Sequence, residues 1–238
     1  MSGEASPQDR YVRQRTPLTF SDSDQAGIER ATVTVVGAGG LGSPVLTYLA
    51  LAGVGTLRVV DGDVVEMSNL NRQFLHGDGD LGSPKVESAR CSLQALNGRT
   101  VIETVASRVD ACTASECLVG STLVVDCTDN EASRRFVGDW CREHGVPCVW
   151  GAVCGRSGYA SSWTPEAGRT FASTFAPAGD TGLLLSPAHA GIIGAVAGVL
   201  GCIMAMEALE IAATGRGRLS GQLFTYDASI PSSSVLRL

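Results

Sequence analysis

The chain has no excess of positive charge, no paired C-x-x-C cysteines, no apolar N-terminal segment and no internal repeat. Eighteen Lys and Arg stand against 24 Asp and Glu, a formal net charge of -6, and the pI is near 5.1. Such a chain is not drawn to nucleic acid or to an anionic membrane, so neither is expected as a partner. A local basic pocket for a nucleotide remains compatible with that total. The eight cysteines, at 91, 112, 117, 127, 141, 148, 154 and 202, offer no zinc-ligand spacing. Most lie in apolar runs and read as buried thiols of a reducing cytoplasm. The opening residues MSGEASPQDR lack an apolar core, so no secretory signal is expected.

What the chain does have is 238 residues, 44% hydrophobic and 18% charged, which suits one well-buried α/β domain. Residues 190–206 are 17 apolar or small residues, near the lower limit of roughly 17–25 for a membrane span. Glycines at 191, 194, 198 and 201, with Glu207 and Glu210 directly after, favour a closely packed buried helix instead.

Residues 1–8 are expected to be disordered, and Asp9 to Arg30 to hold a polar helix interrupted by Pro17. A strand over 32–37 leads to a helix with Ser43 and Pro44 near its start and Gly53 past its end. A second strand covers 56–61. The polar connection 62–82 is long for a βα loop and therefore a functional candidate. Ser83-Pro84 opens a helix to Leu96. Strands at 101–105 and 123–127, a helix at 131–144, and strands at 147–153 and 159–163 follow. The Gly/Pro/Ser/Thr-rich stretch 164–188 reads as a mobile crossing loop, before a helix over 189–213 closed by Gly215 and strands at 221–226 and 234–238. The alternation predicts a doubly wound, Rossmann-like mixed sheet, with helices on both faces and antiparallel strands at the C-terminal end.

Gly37-Ala38-Gly39-Gly40-Leu41-Gly42 fits G-x-G-x-x-G between a strand and a helix. Its glycines allow a tight turn and bring backbone N–H groups at a helix N-terminus close to phosphate. A merely tight strand–helix junction would use the same residues, and the motif does not choose among NAD, FAD, SAM and ATP. Asp61, 24 residues past Gly37, can hold ribose hydroxyls or simply belong to an Asp-Gly-Asp turn. Within Ser68-Asn69-Leu70-Asn71-Arg72-Gln73, Arg72 offers forked donors to phosphate, and Asn69 and Gln73 add neutral ones. On composition alone the segment is a solvated polar loop. Lys85 stands in a helix first turn, where the macrodipole disfavours a cation by up to about 1 kcal/mol, so a nearby anion would explain it. Asp126 and Asp129 flank Cys127-Thr128 at a strand end. Asp129 can cap the following helix or help hold Mg²⁺ beside ATP phosphates. A nicotinamide oxidoreductase would leave Arg72 and Lys85 unexplained. A non-catalytic binding module would not require the intact set Asp61, Arg72, Lys85 and Asp129.

In order along the chain stand Arg10-Tyr11-Val12-Arg13-Gln14, GAGGLG, DGDVVEMSNLNRQFLH, SPKVESAR, CTDN, GVLGCIMAMEAL and LFTYDA. Together they resemble the ubiquitin-activating-enzyme-like adenylyltransferases of the MoeB/ThiF/HesA family over nearly the whole chain. The resemblance implies a single adenylation domain over 1–238 that uses ATP and Mg²⁺. Gly37, Gly39, Gly40 and Gly42 would form its phosphate loop, and Asp61 would hold the ribose. Asn69, Arg72 and Lys85 would contact the phosphates, with Ser68, Gln73 and Asn130 in the same nucleotide set and Asp129 acting with the metal. Arg13 matches an arginine inserted into the partner subunit's site, which implies a homodimer. The implied substrate is the C-terminal Gly-Gly carboxylate of a ubiquitin-like sulfur-carrier protein. A peptide or small-molecule carboxylate in a tailoring pathway is the alternative.

Two departures narrow this. Where many members carry the first of two zinc-binding C-x-x-C pairs, this chain has Thr170-Phe171-Ala172-Ser173, and the second pair is missing from the tail. A zinc-free protein is expected. No cysteine lies between 155 and 201, and the loop region matching a sulfur-transferring cysteine reads Leu185-Ser186-Pro187-Ala188-His189. Cys154 is the nearest thiol and reads as buried. No rhodanese-like domain is expected.

Overall fold

A computed structural model describes residues 10–175 and 191–238. The elements in chain order begin α1 (Asp22–Arg30), β1 (Thr32–Val36), α2 (Gly42–Ala52), β2 (Thr56–Val60), α3 (Lys85–Leu96) and β3 (Val101–Val105). They continue α4 (Ala114–Leu118), β4 (Leu123–Asp126), α5 (Glu131–His144), β5 (Cys148–Cys154), β6 (Ser157–Thr164), β7 (Ala167–Gly168) and α6 (Phe171–Thr174). The last three are α7 (Gly194–Thr214), β8 (Gln222–Asp227) and β9 (Ser232–Arg237). The strands form one mixed sheet in the order β3-β2-β1-β4-β5-β6-β8-β9, with β7 beside β6. The first five are parallel, and β6, β8 and β9 run antiparallel. This is the doubly wound mixed sheet that the alternating pattern predicts.

The Val-rich strands β1 and β4 are buried on both faces, as parallel strands under two helix layers must be. Val33, Val35, Leu57 and Val125 face α1, α2, α3 and α7, while Val36, Val124 and Trp150 face α4, α5 and α6. Alternation along each strand thus sorts side chains into two cores. Helix α2 ends at Gly53, whose φ of 86° is the left-handed cap, and the Tyr11 ring fills the space where a side chain would stand.

Helix α7 has the length and apolarity of a membrane span, but it packs against α1, α2, β5 and β6. Gly201 lets Pro44 of α2 sit where a Cβ would be. Buried Glu207 accepts from Ser162 Oγ at 2.6 Å, Leu219 N at 2.9 Å and Arg218 N at 3.1 Å, pinning the end of the helix to β6 and the following turn.

Several expectations are corrected. No helix runs from residue 10 to 20, because Thr16 N donates to Thr19 Oγ1 and Thr19 Oγ1 to the Gln14 carbonyl, diverting the backbone. The helix begins instead at Asp22, where Ser21 and Asp24 form a capping box. The short helix α4 was not foreseen. Helix α7 starts at Gly194 rather than 189. Residues 164–175 are ordered structure rather than loop: Thr170 caps α6 through Ser173 N, and Phe171 and Phe175 pack on Trp150 and Tyr159. Positions 1–8, the remainder of the crossing loop and Leu185–His189 lie outside the described residues. Four cysteines are buried, at 117, 127, 141 and 148, and Cys154 is half-buried, but Cys91, Cys112 and Cys202 are exposed, so the thiols are less uniformly internal than their apolar surroundings suggest.

Candidate active site

A cleft of about 390 Å³ opens at the carboxyl ends of β1, β2 and β4. It lies where the strand order reverses, the place open α/β sheets reserve for ligands. Its floor is the glycine loop. Gly37 has φ of 100°, a conformation that disfavours any side chain, and a Cβ there would lie 2.9 Å from the Cys127 carbonyl oxygen. At Gly42 a Cβ would overlap the Gly37 carbonyl, so this glycine serves the turn and does not line the cleft.

Two side chains clamp the loop. Asp61 Oδ2 accepts from Ala38 N at 2.8 Å, and its Oδ1 accepts from Asp63 N at 2.8 Å. His76, buried, places Nε2 3.0 Å from the Ala38 carbonyl and Nδ1 2.8 Å from Ser88 Oγ. A carbonyl can only accept, so Nε2 carries the proton and Ser88 donates to Nδ1. Burial pushes the His76 pKa down and keeps the ring neutral.

The 66–73 segment divides. Asn69 is buried and turned inward, its Oδ1 accepting from Glu66 N at 3.2 Å to cap a short 3₁₀ turn. Ser68 is exposed and bonds Glu66. Neither lines the cleft, whereas Arg72 and Gln73 do. Arg72 Nη1 donates to the Ser68 carbonyl at 2.8 Å and to Asn71 Oδ1 at 3.0 Å, so its head is braced. Gln73 stands beside Gly39 with Nε2 toward it, and its buried Oε1 has no hydrogen-bond partner among the described residues.

Lys85 is buried, and the anion near it is Asp63, with Nζ to Oδ2 at 3.2 Å. Arg108 holds the other oxygen of Asp63 at 3.0 Å. Burial raises the Asp63 pKa, but the hydrogen bonds and charge of Arg108 and Lys85 outweigh it and hold the carboxyl below its usual range. On the β4 side, buried Asp126 Oδ1 accepts from Thr128 N at 2.9 Å and Thr128 Oγ1 at 2.7 Å. Burial pushes its pKa up, against the Arg134 charge and the Thr128 bonds. Arg134 donates through Nε and Nη2 to the Thr128 carbonyl at 3.0 and 2.6 Å, fixing this turn.

Asn130, not Asp129, caps α5, with Oδ1 accepting from Ser133 N at 2.9 Å. Asp129 is left exposed at the cleft wall, with no hydrogen bond or ion pair among the described residues. A single hard carboxylate beside a cationic cleft fits Mg²⁺, which typically takes one or two carboxylates and completes its shell with water and substrate phosphate. Among the described residues no cluster of three His, Cys, Asp or Glu could hold a metal by protein ligands alone.

The cleft therefore gathers Gly37, Gly39, Gly40, Asp61, Arg72, Gln73, Lys85, Asp129 and Asn130. Arg13 stands apart, exposed and outside this lining. Its segment is anchored by Asn97 Nδ2 donating to Tyr11 OH at 3.0 Å and Gln14 Nε2 donating to the Ala52 carbonyl at 2.8 Å. Sequence reasoning missed Asp63, His76, Arg108 and Arg134. Asp63 had a signal in Asp-Gly-Asp; the other three had none, since each depends on a contact made only in the fold.

The pattern described as the ThiF family matches residues 11–237. A SAMP-activating enzyme E1 of Haloferax volcanii is 40% identical over 228 residues, covering 96% of this chain and 84% of its own. A sulfur carrier protein adenylyltransferase of Thermus thermophilus is 40% identical over 226 residues, covering 92% of this chain and 83% of its own. Among solved structures, E. coli MccB with MccA-N7isoASN superposes with a TM-score of 0.83 at 18% identity, over 98% of this chain and 72% of that one. That last likeness is one of fold.

Proposed function

Because this chain belongs to the ThiF family, we propose that it is an ATP-dependent adenylyltransferase activating the C-terminal carboxylate of a ubiquitin-like sulfur-carrier protein. Residues 1–238 act as one adenylation domain, in a homodimer, in a reducing cytoplasm. The observation that carries the reading is the cleft's two-sided charge: Arg72 and Lys85 by the glycine loop, and Asp129 without a partner among the described residues on the opposite wall.

The substrate carboxylate, with a terminal pKa of about 3.5, is already ionised at neutral pH, so no general base is needed. Its oxygen attacks the α-phosphorus in line; the new O–P bond forms as the α–β bridging bond breaks, and pyrophosphate leaves. The protein's work is to hold two anions together and to neutralise charge on the phosphate oxygens. Backbone N–H groups of the glycine loop, Arg72 and Lys85 do this, joined by Arg13 from the partner subunit. Asp61, already spanning two backbone N–H groups, presents its remaining lone pairs to the ribose hydroxyls. Asp129 would hold Mg²⁺, whose charge, when bound, further stabilises the phosphate oxygens.

ATP–pyrophosphate exchange with a panel of Gly-Gly-tailed carrier proteins tests this. Stimulation by an intact tail but not by a tail lacking its last glycine is expected, with a loss of about 100-fold or more in Arg72→Ala. If no carboxylate substrate stimulates exchange, the reading fails. An equimolar mixture of Arg13→Ala and Arg72→Ala subunits should recover part of the rate. No recovery after verified subunit exchange would remove the shared site.

A further inference from the structure

Resting on the assignment of this cleft to ATP, the geometry points to Arg108 as a clamp on the face of the purine, held ready by Asp63. The strand order carries the placement. Phosphates belong at the glycine loop after β1 and the ribose at Asp61 after β2, so the base extends toward the next strand, β3. The ends of β2 and β3 are level: Val60 pairs with Val105, and Asp61 N donates to the Val105 carbonyl at 3.2 Å. Ser107, Arg108 and Val109 directly follow and line the cleft, with Val109 and Val60 forming an apolar wall.

Arg108 lies across the 61–63 turn because Gly62 has no side chain. A Cβ there would stand 2.9 Å from Arg108 Cγ and 3.1 Å from Arg108 N. The side chain is 83% exposed, and the ion pair that tethers it is the 3.0 Å bond to Asp63. A pair at that exposure is weak and readily exchanged. Lys85, 8% exposed, holds the other oxygen of the same carboxylate. When Arg108 leaves, Asp63 therefore keeps a partner. The planar, weakly hydrated guanidinium then turns onto the adenine face, where stacking and cation–π attraction hold it.

The test separates the two ends of the nucleotide. Adenosine and inorganic tripolyphosphate are titrated calorimetrically into wild type, Arg108→Ala and Arg108→Lys, alongside ATP. Adenosine affinity should fall about fivefold in both variants, because lysine keeps the charge but not the plane. Tripolyphosphate affinity should stay within about twofold, since charge at so exposed a position is screened. Equal losses for both ligands would make Arg108 a phosphate contact and overturn the clamp. No change for either would leave it a surface ion pair and overturn it equally. If wild type itself binds no ATP, the failure lies with the nucleotide assignment, and the clamp falls with it.

Discussion

Just past β2 the chain carries Asp61 and Asp63; at the end of β4 and just past it, Asp126 and Asp129. In both pairs the first carboxylate is turned to the backbone, Asp61 to Ala38 N and Asp63 N, and Asp126 to Thr128 N. The second faces the cleft. There the likeness stops, because Asp63 is shared by Lys85 and Arg108, whereas Asp129 has no partner among the described residues. One arm arrives with its cations in place, and the other is a bare negative charge. The difference gives the cleft two poles across the same glycine loop, Lys85 with Arg72 suited to phosphate oxygens and Asp129 to a divalent cation.

The comparison breaks most decisively at the β4 pair. Asp129→Ala should lower exchange about 100-fold or more and shift stability by no more than about 0.5 kcal/mol, as exposed substitutions do. Asp126→Ala should instead cost about 2 kcal/mol in urea unfolding, because Thr128 N and Oγ1 lose their acceptor inside the protein. Equal effects on stability would show that the two acids do not divide their work. On the β2 arm, Asp63→Asn removes a negative charge from the phosphate pole and loosens Lys85. The apparent KM for ATP should fall about threefold at low salt while kcat falls about tenfold, a split that steady-state kinetics resolves. A rise in KM with kcat unchanged would refute the counter-ion role.

The smallest effect concerns His76. Its pKa is lowered by burial, so as pH falls below about 6.5 the unfolded chain takes up the proton first. The stability it contributes is present above that value and lost as pH descends toward the lowered folded pKa. Wild type should therefore lose melting temperature more steeply than His76→Gln between pH 6.5 and 5. Parallel slopes would mean that the ring does not stay neutral in the fold.

Much of this was legible beforehand, for local reasons. Helix α5 runs over the expected residues because Asn130 and Gly145 supply both of its caps, and Gly53 and Gly215 end α2 and α7 in the same left-handed way. The glycine loop was visible because its φ and close contacts leave little alternative. Asn69, expected at the phosphates, is buried with its Oδ1 closing a 3₁₀ turn, a contact that composition alone does not announce. Phe171 and Phe175 were hidden inside a stretch of loop composition. Their role exists only once Trp150 and Tyr159 are beside them. Arg108 was illegible for the same reason: the glycine it crosses lies far away in sequence.

The junction of β1 with β4 also has a consequence for how the protein comes into being. Val33 sits beside Leu123, whereas the β1–α2–β2 unit is assembled from neighbouring segments. Closing the longer loop is entropically slower, so the glycine loop should form before its opposite wall. Nucleotide binding then becomes possible only after β4 docks, so ligand capture follows a long-range closure rather than an early local one. During folding or synthesis, ATP would act on that closure, holding the glycine loop against the wall that meets it from farther along the chain.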